Sequence, residues 1–317
     1  AALHLALKYM GVREHDVVLV PTVTFAATAF AVTYLGAVPV FIDVDEDSWG
    51  MDPNVVEGAL VSMARRGKRV SAAVPVDLYG SPANYSTLLP LFAEHNVAVV
   101  EDAAEGLGAT HGERKLGGFG QAGVLSFNGN KLITTSGGGM LVTWDAAMAT
   151  RIRKWSTQSR EDTPWYEHTE IGYNYRMSNV LAALGHSQLK RVDSEVTSRR
   201  RIRDSYRERL VGIEGVFIQS DPPWGRSNAW LTVIQLSRSV HTDASRHLRD
   251  ALAAEEIESR PIWKPMHQQP VFRDNEAFLT GRADALFEEG LCLPSGTALT
   301  EKDIDRVCSV IIKTLTA

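Results

Sequence analysis

The chain has 317 residues, 44% of them hydrophobic and 22% charged, with a formal net charge of -5; this is an ordinary composition for a soluble globular protein of about two domains, and no basic surface argues for a nucleic-acid partner. No apolar run is long enough to cross a bilayer, so no membrane partner is expected. Cys292 and Cys308, the two cysteines, form no CxxC pair and have no histidine cluster beside them, so neither a disulfide framework nor a metal site is expected, and a reducing, cytoplasmic setting is the simpler expectation.

Residues 1–9 read as a helix of closely spaced apolar residues with no polar lead-in. The chain opens on Ala1-Ala2-Leu3-His4 without an initiator Met, so a fragment of a longer protein is expected. From residue 17 to about residue 145, strands and helices alternate. Val17-Val18-Leu19-Val20 ends at Pro21, Val38-Pro39-Val40-Phe41-Ile42 at Asp43, and Ala72-Ala73-Val74-Pro75-Val76 at Asp77. Val97-Ala98-Val99-Val100 ends at Glu101-Asp102, and Gly123-Val124-Leu125-Ser126-Phe127 and Met140-Leu141-Val142 come next. Short apolar runs without alternation suit strands buried on both faces of a mostly parallel sheet. Helical stretches between them, such as residues 24–35 and 85–95, complete an α/β layered architecture.

From Ser178 to about residue 210 the pattern is helical, with Ser178 as N-cap and Val180, Leu181, Leu184 and Leu189 as an apolar stripe. Arg199-Arg200-Arg201 lies among acidic residues and reads as a solvated helix face rather than a polyanion patch. Residues 230–236 read as a strand, 241–256 as a helix, 260–270 as a proline-punctuated loop and 301–315 as a closing helix. The expected division is a large ligand-binding domain over residues 1–190 and a smaller α+β domain over 191–317.

Ligands of open α/β sheets sit at the carboxyl ends of the strands, which directs attention to Asp102 and to Ser126-Phe127-Asn128-Gly129-Asn130-Lys131. Lys131 lies just past a buried strand and precedes Gly137-Gly138-Gly139, glycines that let backbone approach closely. A partly desolvated lysine amine can attack a carbonyl; the ordinary alternative is a solvated loop lysine. Asp102 at a strand end can face a cationic ring nitrogen, as pyridoxal phosphate requires of its partner; alone it reads equally as a helix N-cap. Phe25 could lie flat on a ring or fill a core. Asn174 and Arg176 precede a helix and could meet anions or simply serve its capping and surface. Arg260-Pro261-Ile262-Trp263-Lys264-Pro265-Met266-His267 looks like a ligand-facing loop. Glycine spacing excludes a P-loop, and no G-x-G-x-x-G lies after a strand, which ranks a nucleotide-dependent oxidoreductase low.

Together these segments resemble the DegT/DnrJ/EryC1/StrS family of sugar aminotransferases. The resemblance runs over essentially the whole chain, including residues 21–25, 101–105, 126–140, 172–185, 260–272 and 290–296. It implies a fold-type I, aspartate aminotransferase-like architecture and pyridoxal phosphate, cycling with pyridoxamine phosphate, as cofactor. It implies Lys131 as covalent anchor and general base, Asp102 as partner of the ring nitrogen, and Glu105 near the phenolic oxygen. Phe25 would stack on the ring, and Ser126 would bind the phosphate. Asn174 would reach the phosphate from a second subunit, implying a homodimer with shared active sites. Family members carry a Gly-Ser/Thr step immediately before Ala1-Ala2, where a helix N-terminus cups the phosphate. Arg176, Lys264 and His267 are the candidates near the substrate. Residues 126–131, 156–160 and 167–168 are similar to the branch acting on UDP-2-acetamido-4-keto-2,6-dideoxyglucose, with L-glutamate as amino donor, on the route to N-acetylbacillosamine. Another dTDP- or GDP-linked keto-sugar, or a non-catalytic regulatory protein on the same fold, are the alternatives.

Overall fold

The computed structural model describes residues 1–240 and 243–316. Seven strands form the main sheet, in the spatial order Ala277–Phe278, Val38–Ile42, Val17–Pro21, Val70–Ala73, Ala98–Asp102, Ala122–Ser126 and Gly139–Val142. Neighbours are parallel throughout except for the last pair, which is antiparallel. Val17–Pro21 is buried at every position, as its unbroken apolar sequence requires. Side chains alternate across a strand. Val18 and Val20 join the core beneath the helices Ala2–Tyr9, Ala26–Thr33 and Ala146–Ser156, while Val17 and Leu19 join the core beneath Pro53–Arg65 and Tyr85–Glu94.

Two of these helices escape the apolar-run reading, although their start signals stand in the sequence. Asp52 accepts from the Asn54 amide at 2.8 Å and Pro53 occupies the first turn of Pro53–Arg65. Asp145 accepts from the amides of Ala147 at 2.8 Å and Met148 at 3.1 Å.

The helical stretch after Ser178 is two helices, Asn179–Leu189 and Val192–Leu210. Ser178 caps the first through the Leu181 amide at 3.4 Å. That helix buries none of its own residues in this chain. The second corrects the solvated reading of the basic run. Arg199 donates to the carbonyls of Trp230 (2.5 Å) and Ser295 (3.1 Å), and Arg200 to that of Ser227 (2.7 Å). Irregular backbone around residues 227–231 and after residue 293 leaves carbonyls needing donors, and the two guanidinium groups supply them. Arg201 faces outward and pairs with Glu301.

A smaller antiparallel sheet runs Arg260–Pro261, Gly290–Leu293, Thr232–Leu236, Val216–Ile218. The helices Val192–Leu210, Ala244–Ala254 and Glu301–Thr316 pack with it around Ile234, Leu248 and Ile304. His241, the expected start of the middle helix, lies outside the described residues. Between these elements the chain returns to the main sheet at Ala277–Phe278 and is secured there by Asp43. The Asp43 carboxylate is buried and accepts from the Thr280, Gly281 and Ala283 amides at 2.6, 2.9 and 2.9 Å. Both cysteines are free and buried, and no helix among the described residues is long and apolar enough to cross a membrane.

Candidate active site

The strands Ala98–Asp102 and Ala122–Ser126 are parallel neighbours, with Asp102 opposite Val124. Their carboxyl ends therefore open side by side, and the segments leaving the two strands meet in one cavity of about 1950 Å³. Asp102, Glu105, Ser126 and Lys131 line its floor, with Phe25 and the first turn of the helix Ala2–Tyr9 also on its wall. Asn174 and Arg176 lie on its margin and are exposed.

Asp102 is buried. One oxygen accepts from the Thr28 hydroxyl at 2.7 Å and the other from the Ala104 amide at 3.2 Å. Burial pushes its carboxyl above the ordinary value, against the pull of those two donors and of Lys131. Thr24 Oγ1 stands 2.8 Å behind Thr28 Oγ1, one helical turn away.

Lys131 Nζ donates to Glu105 Oε1 at 2.9 Å and lies 3.9 Å from the centre of the Trp230 ring. The other Glu105 oxygen accepts from the Tyr79 amide at 2.7 Å. Burial raises this carboxyl too, with Lys131 opposing. Two of the three glycines pack closely against this chain's own residues, and Gly137 meets nothing within 4 Å. A Cβ on Gly139 would stand 2.6 Å from the Leu125 carbonyl oxygen, and one on Gly138, whose φ is +103°, 2.7 Å from Met177 Cε.

Phe25 immediately precedes the helix Ala26–Thr33, and its ring is 59% exposed, 5.5 Å from that of Trp263. Ser126 Oγ accepts from the Asn128 amide at 3.3 Å. Asn174 accepts from Gln158 Nε2 at 2.8 Å. Ala1 places no capping side chain over the first turn of its helix, so the amides there are available to an anion.

Lys264 and His267 are not gathered into the cavity. The 3-10 turn Met266–Gln268 buries Met266 and carries His267 between Thr22 Oγ1 (2.7 Å) and Asp284 Oδ1 (3.0 Å). Conversely, Thr28, Trp230 and Asn228 take part in the site without having been singled out. The Thr24/Thr28 spacing just past a strand end was a readable signal for the first. The other two are brought in by the fold alone.

These residues suit pyridoxal phosphate. A buried carboxylate awaits a ring nitrogen, a lysine amine stands nearby, an aromatic face is left open, and uncapped amides await a phosphate. Comparison with known proteins places the molecule among the pyridoxal phosphate-dependent aminotransferases of fold type I. The sequence pattern of the DegT/DnrJ/EryC1/StrS aminotransferase family matches residues 1–312, and the chain belongs to that family. It is 43% identical to EpsN of Bacillus subtilis over 98% of this chain and 81% of that protein. It is 36% identical to a GDP-perosamine synthase of Caulobacter vibrioides, over 99% of this chain and 83% of that one. The crystal structure of a family aminotransferase from Brucella abortus superposes with a TM-score of 0.92 at 30% identity, covering 100% of this chain and 84% of that one.

Proposed function

We propose that this chain moves the amino group of L-glutamate onto the keto carbon of a nucleotide-linked 4-keto-6-deoxy sugar. The substrate we favour is UDP-2-acetamido-4-keto-2,6-dideoxyglucose, for glycan or polysaccharide synthesis. The observation that carries the reading is the Lys131–Glu105 contact beside buried Asp102 in one cavity. That cavity's volume of about 1950 Å³ exceeds what a free amino acid needs. The GDP-perosamine synthase relative supports a nucleotide-sugar substrate and favours a GDP-linked keto-sugar as the second reading.

In this reading pyridoxal phosphate, held through Lys131 Nζ, supplies an electron-accepting ring. Asp102 would keep the ring nitrogen protonated, Phe25 would stack on the ring, and Glu105 would contact the phenolic oxygen. Ser126 and the amides at Ala1 and Ala2 take the phosphate, joined by Asn174 from a second copy of the chain. Lys131 Nζ would carry the proton removed from the donor's α-carbon. Arg176 faces the phosphates of the sugar nucleotide.

The same reading makes residues 1–190 the cofactor-binding domain and residues 191–317 the smaller one. It makes the molecule a homodimer joined partly through the helix Asn179–Leu189, whose Val180 is 79% and Leu184 45% exposed. Incubation with glutamate and a panel of UDP-, dTDP- and GDP-linked keto-sugars, with mass spectrometry of the products, tests the assignment. An aminated product from the UDP-sugar is expected. Amination of a GDP-sugar alone selects the second reading, and no aminated sugar from any of the three defeats both.

A further inference from the structure

We propose that the carboxylate of Glu105 and the indole face of Trp230 form a two-sided seat for the ammonium of Lys131, and that Asn228 holds the two sides at their working separation. The inference rests on the reading of Lys131 as the cofactor's anchor and says where its amine resides when it is free of the cofactor.

Lys131 Nζ touches both sides, with Glu105 Oε1 at 2.9 Å and the centre of the Trp230 ring at 3.9 Å. A carboxylate and an aromatic face each favour a cation over a neutral amine. Neither side is free to move with the amine. Glu105 is fixed from behind by the Tyr79 amide at 2.7 Å. Trp230 is fixed at its ring nitrogen by the Asn130 carbonyl (2.8 Å) and at its own carbonyl by Arg199 (2.5 Å).

Asn228 joins the two. Its buried Nδ2 donates to the Glu105 carbonyl at 2.6 Å and the Leu107 carbonyl at 2.9 Å, while its Oδ1 accepts from the Trp230 amide at 2.8 Å. This amide thus ties one wall of the seat to the other. Gly80 makes room for it: a Cβ there would stand 1.7 Å from Asn228 Oδ1.

Glu105 is the carboxylate that accepts from the amine, and Asp102 acts on it through charge without a hydrogen bond. Both Asp102 oxygens already accept, from Thr28 and Ala104. Burial holds the Tyr79 hydroxyl neutral. A lysine stem is flexible, and an unseated amine would sample many rotamers. The seat keeps Nζ within reach of the cofactor.

The test is labelling of the cofactor-free chain with acetic anhydride, read by peptide mass spectrometry at Lys131 relative to exposed Lys302 and repeated across pH. Trp230→Leu, Glu105→Gln and Asn228→Ala should each raise labelling at Lys131 at least about tenfold near neutrality and move its pH profile to lower pH. Trp230→Phe keeps an aromatic face but loses the ring nitrogen, and should stay within about threefold of the parent. A change in access alone would scale labelling equally at every pH. An unmoved profile in Trp230→Leu overturns the seat. If Asn228→Ala does not fold, the contrast between Trp230→Leu and Trp230→Phe decides. Borohydride reduction of the cofactor-loaded chain separates the two readings. Cofactor mapped to another residue sinks the anchor, whereas cofactor on Lys131 with an unmoved profile sinks the seat alone.

Discussion

The hydroxyl of Thr28 donates a 2.7 Å hydrogen bond to Asp102 Oδ2 from a helix that begins just past a different strand end. Leaving that buried oxygen without its donor costs about 1–3 kcal/mol. Thr28→Val should therefore lower turnover by about tenfold to a hundredfold with KM for glutamate nearly unchanged, and Thr28→Ser should restore most of the rate. Asp102→Asn should be more severe in the same direction. Steady-state kinetics on the three variants check this, and a Thr28→Val enzyme with full turnover removes the residue from the mechanism.

Lys131→Ala deletes the residue proposed as both anchor and proton carrier. Visible absorption of the cofactor–lysine adduct should vanish, and turnover should fall by at least about 10²–10⁴-fold. Spectroscopy and a glutamate half-reaction read the two effects separately. Full activity in this variant would refute the central assignment.

Asp77 offers a test in pH. Its carboxyl is buried with Oδ2 unpartnered, and desolvation together with the charge of Glu101 holds it well above the usual carboxylate range. A raised value means that the folded chain keeps a proton the unfolded chain has already lost. The stabilisation is then complete below the ordinary value near about 4 and disappears as pH rises through the raised one. Asp77→Asn carries a donor at every pH. Relative to it, the parent should lose Tm as pH is raised from roughly 4 to 8. Parallel Tm profiles would show that Asp77 is not protonated in the fold.

Gly80 sits at φ +87° and faces Asn228 with no room for a side chain. Gly80→Ala combines backbone strain with overpacking, and should cost about 2–4 kcal/mol in a urea titration. A loss under about 0.5 kcal/mol, the usual range for a harmless surface change, would mean that the Asn228 bracket yields easily.

Leu184 lies on a helix that buries nothing in its own chain. On the proposed homodimer, Leu184→Glu should shift the protein from dimer to monomer in sedimentation velocity and reduce activity with it, because that proposal has Asn174 supplied across the interface. A monomeric parent would remove the shared-site reading.

Much of this was legible from sequence where one physical constraint dominates. Strands buried on both faces announce themselves as unbroken apolar runs, and strand ends pointed to Asp102 and Lys131. Ser178 capped its helix as read. The break at Lys190-Arg191 was not legible, because neither glycine nor proline marks it. Arg199 and Arg200 were misread because charge pattern says nothing of which loop carbonyls lack donors. Trp230 was read only as the start of a strand and Asn228 lay outside every reading, and their contacts exist only once the loop before Thr232–Leu236 meets the start of the segment after Asp102. Lys264 and His267 were read as ligand-facing from a loop of cations, aromatics and prolines, but neither lines the cavity, and His267 is held between Thr22 and Asp284 instead.

The short strand Ala277–Phe278 closes the edge of the main sheet beside Val38–Ile42, more than two hundred residues earlier. During synthesis the sheet must therefore wait with that edge open until residue 278 has left the ribosome. An unpaired edge invites pairing with other chains, and contacts of such long sequence separation form slowly. The smaller-sheet strands Val216–Ile218, Thr232–Leu236 and Arg260–Pro261 must be threaded out before the larger sheet is finished. Asp43, by gathering the amides of Thr280, Gly281 and Ala283, acts as the latch of that last step.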